Sequence, residues 1–176
     1  MKTAMKTIAM LLVLAAPAVR AQDWALKTLE KSRRHGEWVK LKSQGRDLDV
    51  FVVYPETKGK APAVVVIHEI FGLTDWARDL ADQIAAAGAI AVAPDLLSGK
   101  GPHGGRTSDF PSVDAAREAV ANLDPAGVAE DLKAAADYAK TLPSANGTLA
   151  AAGFCWGGGQ AFRFAERGDL SAVYVF

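Results

Sequence analysis

Five successive apolar residues, Ala63-Val64-Val65-Val66-Ile67, constrain this chain more than any other stretch. The side chains of a strand alternate between its two faces, so a strand with one wet face reads as apolar-polar alternation. This run shows no alternation. It is short and β-branched, and Pro62 stands immediately before it. Those features favour a strand over a buried helix. A strand that is apolar on both faces needs cover on both, which means helices above and below a sheet.

The remaining patterns meet that demand. Residues 89–93, 148–152 and 172–176 are three further apolar, strand-like runs. Helical periodicity fills the gaps between them. Thr74 is placed to cap a helix over 75–87, in which Trp76, Leu80, Ile84 and Ala87 recur on one face before Gly88 stops it. Asp124-Pro125 pairs a capping side chain with proline at the first helical position. Val128, Leu132, Ala135, Ala139 and Leu142 then repeat at helical spacing, and Pro143 with Asn146-Gly147 closes that segment. Residues 114–122 and 160–166 read as further helix, and 97–111, rich in Gly, Pro and Ser, as a long loop. Upstream, 37–41 and 48–54 are β-prone runs joined by a turn at Gln44-Gly45-Arg46, the pattern of a hairpin. Alternating strands and helices imply parallel pairing with right-handed crossovers. The expected fold class is α/β, a sandwich with a mostly parallel central sheet and an N-terminal antiparallel hairpin at one edge.

Residues 1–21 read as an export signal. Lys2 and Lys6 form a positive start, an apolar run follows from Ile8 to Ala16, and Val19-Arg20-Ala21 sets small residues at −3 and −1 of a cleavage point before Gln22. The run falls short of the ~20 apolar residues that span a bilayer. The protein is therefore expected to be exported, periplasmic or secreted, with no stable membrane span after cleavage. Residues 22–35 form an N-terminal extension whose cluster Lys31-Ser32-Arg33-Arg34-His35 reads as solvated surface, and 36–176 form the folded domain. Beyond residue 21 the chain carries 17 basic against 20 acidic residues. Nothing in that balance suggests a nucleic-acid surface, and no nucleic-acid partner is expected.

Function is expected at the carboxyl ends of the parallel strands. Three segments end there: His68-Glu69-Ile70-Phe71-Gly72, Pro94-Asp95-Leu96 and Gly153-Phe154-Cys155-Trp156-Gly157. The last has the G-x-nucleophile-x-G spacing of a nucleophile elbow, with the chain's single cysteine at its centre. A sharp strand-to-helix turn forces the nucleophile's backbone into a crowded conformation, so its neighbours must lack bulk. A helix starting behind Cys155 directs unpaired N–H groups and partial positive charge towards the sulfur, which favours a thiolate and a developing oxyanion. Trp156 N–H is one candidate oxyanion donor, and Ile70 N–H, on the loop after the first central strand, is the other. The competing reading of Cys155 is an inert buried thiol beside packing glycines.

The polar residues around these motifs sort by position. Glu69 is a candidate site residue, with a solvated loop carboxylate as the alternative. His68 reads as a structural strand-end histidine and Asp95 as a hydrogen-bonded turn residue. His103 could meet Cys155 only if its loop folds over the site. Glu166 and Asp169 read as surface residues. His35, His68 and His103 lack ligand-like spacing, so neither a metal nor a cofactor is expected.

Taken together, the three motifs resemble the dienelactone hydrolase family of α/β-hydrolases, and the likeness in order and spacing runs over 36–176. The resemblance implies a hydrolase acting on a small-molecule ester or lactone. Cys155 would be the nucleophile that forms an acyl-enzyme. Glu69 would hold the resting thiol until substrate displaces it, and Ile70 and Trp156 would supply the oxyanion N–H groups. In that family an Asp and a His follow on loops after later strands, and an arginine just past Pro-Asp-Leu grips a substrate carboxylate. Here Leu97-Ser98-Gly99-Lys100 offers only a lysine, and the sequence reaches Phe176 before either triad partner. The expectation is a domain missing its last strands. The alternative is a catalytically incomplete fragment, or a binding or redox-thiol relic. Oligomeric state is left open.

Overall fold

The computed structural model describes residues 23–176. The expected export signal, residues 1–21, lies outside them. Among the described residues six strands form one sheet in the order β1-β2-β4-β3-β5-β6. They are β1 (Gly36–Ser43), β2 (Arg46–Val53), β3 (Ala61–Ile67), β4 (Ile90–Pro94), β5 (Ala145–Gly153) and β6 (Ala172–Val175). The α-helices are α1 (Asp23–Lys31), α2 (Asp75–Ala86), α3 (Val113–Ala121), α4 (Pro125–Thr141) and α5 (Trp156–Phe164). β3 pairs in parallel with both β4 and β5, and β5 in parallel with β6. The hairpin β1-β2 joins antiparallel through β2 to β4 and so forms one edge of a mostly parallel sheet. This is the expected α/β sandwich.

β3 explains why the fold takes this form. Ala63, Val65 and Ile67 enter one apolar cluster with α4 and α5 residues such as Leu132, Ala135 and Ala161. Val64 and Val66 face the other way, into a cluster with Ala77, Ala81 and Ala85 of α2. Val65, Val66 and Ile67 are fully buried. Each such side chain contributes roughly 1.5–3 kcal/mol relative to exposure, so both helical layers are required to stabilise the strand.

At the hairpin edge, the turn places Gln44 at φ 51° and Gly45 at φ 74°. Two left-handed residues in succession are the two-residue turn whose twist suits paired strands. Asp124 caps α4 by accepting from the Gly127 N–H, and Val128, Leu132, Ala135, Ala139 and Leu142 are all buried as their spacing implies.

Several expectations need correction. Thr74 precedes α2, but its side chain makes no capping bond, and its hydroxyl is buried without a partner. The fully buried stripe of α2 is Ala77, Ala81 and Ala85, while Trp76, Leu80 and Ile84 flank it half-buried and Ala87 is exposed. Small residues let the helix approach the sheet closely, and the large ones cover the margins. Asn146-Gly147 does not lie between α4 and β5 but within β5, where a register irregularity opposite 61–63 absorbs the left-handed Gly147. α5 starts at Trp156, directly behind Cys155 as expected, but its α-helical part stops at Phe164 and a 3-10 turn covers Ala165–Arg167. The extension holds α1, packed on α2. Its basic cluster is only partly solvated: Arg34 and Ser32 both bond the buried carboxylate of Asp82.

Candidate active site

β5 delivers the chain to Cys155, which sits between the strand and α5 at φ 54°, ψ −115°. A non-glycine residue at that φ is strained by about 1–3 kcal/mol and persists only where its surroundings over-determine it. Those surroundings are explicit. Cys155 N–H donates to the Phe176 carbonyl at 2.8 Å, and Phe154 N–H to that of Ile67 at 3.3 Å. A Cβ on Gly153 would stand 2.1 Å from the Gly157 oxygen, and one on Gly157 would stand 2.3 Å from the His68 oxygen. The elbow can close on β3 only because both positions lack side chains.

Cys155 is exposed, so it is not the buried thiol of the competing reading. It opens into a cleft of about 420 Å³ lined by Glu69, Trp76, Phe154, Cys155 and Phe176. Glu69 is half-buried, and burial pushes its carboxyl above the ordinary value. The resemblance implied that Glu69 holds the thiol. Among the described residues no hydrogen bond joins the two, although they share the cleft. Ile70 lies half-buried on the same loop, and Trp156 is the first residue of α5. Neither the Ile70 nor the Trp156 amide donates a backbone hydrogen bond among the described residues. Three of the cleft's walls were not singled out from sequence. Trp76 was read only as a helix-face residue, and Phe154 only as the unspecified position before Cys155. Phe176 reaches the site through β5-β6 pairing, with its ring stacked on Phe154 at 4.8 Å.

The other polar candidates lie elsewhere. His68 is buried, its Nδ1 lies 2.7 Å from the Glu69 carbonyl oxygen, and its ring stacks on Trp156 with centroids 5.8 Å apart. Burial pushes its pKa down to about 4. Asp95 is also buried and accepts from Leu97 N–H, Thr107 N–H and the Thr107 hydroxyl. Burial pushes it up to about 6, against the pull of those bonds. It is the hydrogen-bonded turn residue expected. His103 occupies an exposed left-handed position in Pro102–Gly104 and does not line the cleft. Lys100 is exposed and also outside the cleft. Asp169 pairs with Arg167 and Lys140 at the surface. Among the described residues no group of three or more His, Cys, Asp or Glu could hold a metal, and no helix is long and apolar enough to cross a membrane.

Residues 48–176 match the family model of the dienelactone hydrolase family. The chain belongs to the dienelactone hydrolase family. Carboxymethylenebutenolidase 1 of Cupriavidus pinatubonensis is 36% identical over 121 residues, covering 67% of this chain and 52% of that protein. Carboxymethylenebutenolidase of Pseudomonas putida is 35% identical over 115 residues, covering 63% and 48%. The solved structure of P91, a dienelactone hydrolase-like promiscuous phosphotriesterase from metagenomic libraries, superposes with a TM-score of 0.66 at 28% identity, covering 81% of this chain and 59% of that one. This dienelactone hydrolase family member thus spans about half the length of the curated relatives it matches.

Proposed function

We propose that the protein hydrolyses a small ester or lactone through Cys155 and a covalent acyl-enzyme. The observation that carries this reading is the exposed sulfur in a disfavoured backbone conformation, facing a cleft shared with Glu69; the Ile70 and Trp156 amides donate no backbone hydrogen bond among the described residues. The thiolate attacks the carbonyl carbon. The carbonyl π electrons move to oxygen, where the Ile70 and Trp156 N–H groups stabilise the charge. Collapse of the tetrahedral species breaks the C–O bond, the alcohol leaves with the proton that Glu69 took from the thiol, and a thioester remains. Water then cleaves the thioester and returns the thiol. Glu69 lines the same cleft as Cys155, and in this reading it accepts the thiol proton when substrate binds. No histidine of the described residues lines the cleft, so this reading assigns no His or Asp partner within them.

Cleft composition bears on substrate. Among the described residues the walls are three aromatic rings, the Cys155 thiol and one carboxylate, and none is a cation. Uncharged aryl esters fit that surface better than a substrate carrying a carboxylate beside Glu69. The relatives named as carboxymethylenebutenolidases support the lactone or ester class. The test is turnover of small aryl esters by the full protein and by Cys155→Ala. Loss of turnover in the variant is expected, and equal turnover would refute the assignment. Glu69→Gln is expected to change the rate at which iodoacetamide alkylates Cys155; an unchanged rate removes Glu69 from the mechanism. Export belongs to the same proposal, and a mature N-terminus at Gln22 by mass spectrometry is its expected signature. An intact Met1 on exported material would sink it.

A further inference from the structure

We propose that His68 is a positioning residue that aims both oxyanion N–H groups, holding the Glu69–Ile70 peptide with its Nδ1–H and Trp156 with its ring. The inference rests on the function proposed above and goes beyond it. His68 ends β3 and is buried. Its Nδ1 lies 2.7 Å from the Glu69 carbonyl oxygen, which also accepts the Gly72 N–H at 3.2 Å. A carbonyl oxygen carries no proton, so the bond to it requires hydrogen on Nδ1. The other ring nitrogen, Nε2, is buried without a partner, as befits a bare lone pair in that tautomer. With its pKa pushed down to about 4 by burial, the ring stays neutral from mildly acidic to alkaline pH.

The geometric consequence follows from peptide planarity. The C=O of one residue and the N–H of the next belong to one rigid plane and, in a trans peptide, point in opposite directions. No cis peptide is present among the described residues. Two donors therefore turn the Glu69 carbonyl towards the buried ring, and the Ile70 N–H must face the other way. That amide has no acceptor among the described residues. The same imidazole stacks on Trp156 at 14° between planes, and the His68 carbonyl packs so tightly on the elbow that Gly157 has no room for a Cβ. One residue thus sets the relative placement of the two amides. Misplacing a reacting group by about 1 Å costs on the order of 100-fold in rate.

The experiment compares full-length wild type with His68→Asn and His68→Phe. Asparagine keeps an N–H near the Nδ1 position, whereas phenylalanine keeps a ring against Trp156 and loses the donor. For aryl-ester turnover, kcat is expected to fall about 100-fold in His68→Phe with KM little changed, and His68→Asn to recover at least about tenfold of that loss. Nitrogen NMR on the wild type is expected to show His68 protonated at Nδ1 alone between about pH 5 and 9. Amide resonances of Ile70 and Trp156 are expected to shift in His68→Phe, with the Ile70 signal returning towards wild type in His68→Asn. A wild-type Nε2–H tautomer, or an Ile70 amide unmoved in His68→Phe, overturns the inference even if the ester assay shows no turnover. Turnover that survives Cys155→Ala sinks the functional reading instead and leaves the NMR result to decide on His68.

Discussion

The elbow around Cys155 is held by what its residues lack, whereas the loop from Glu69 to Leu73 is held by buried polar side chains that reach it from elsewhere. At the elbow, Gly153 and Gly157 let two backbones close to distances that any Cβ would forbid. At the loop, Leu73 N–H donates to the Thr107 hydroxyl, which donates in turn to Asp95, and His68 grips the Glu69 carbonyl. The two halves of one cleft thus respond to different perturbations. Added volume should break the first, and lost hydrogen bonds or a change of pH should loosen the second.

The largest effect is expected from Gly157→Ala. Its methyl group would meet the backbone oxygens of His68 and Ile67 at 2.3 and 2.5 Å, which no rotamer change relieves. A loss of about 3 kcal/mol or more in urea unfolding is expected, together with loss of turnover. An active, equally stable variant would show that the elbow does not depend on missing side chains.

The next effect concerns Asp95. Burial raises its carboxyl from the ordinary 3.8 to about 6, so the folded state favours the neutral acid. Its contribution is complete below pH ~4 and is lost as pH rises through about 6. Relative to Asp95→Asn, wild-type unfolding free energy is therefore expected to decline by about 2 kcal/mol between pH 4 and 7. Parallel stability profiles for the two proteins would detach the loop from this titration. Thr107→Val should cost about 1–3 kcal/mol, because it strands the buried Leu73 N–H and leaves Asp95 Oδ1 with only the Leu97 N–H. Thr107→Ser should recover most of that loss in the same denaturant series. The smallest effect is a gain. Gly159 lies in α5 with open space where its Cβ would be, so Gly159→Ala is expected to raise stability by up to ~1 kcal/mol. A destabilised Gly159→Ala would mean that glycine at the elbow has a role other than clearance.

Sequence alone determined much of this protein. Patterns in β3, β4 and α4 identify the layers because a buried strand and an amphipathic helix must display their environments in composition. The Gly153-Phe154-Cys155-Trp156-Gly157 run identifies the elbow because its steric demand falls on adjacent positions. Other features depend on partners distant along the chain. Asp82 is buried because Arg34, 48 residues earlier, reaches it. Thr107 looks like an ordinary loop residue until the fold lays it across Gly72, whose absent Cβ would stand 2.5 Å from its hydroxyl oxygen. Phe176 lines the cleft only because β6 pairs with β5. Local sterics and periodicity are written in neighbouring residues, whereas buried polar bonding depends on which distant atoms the folded chain brings within about 3 Å. Tertiary structure alone decided that second set.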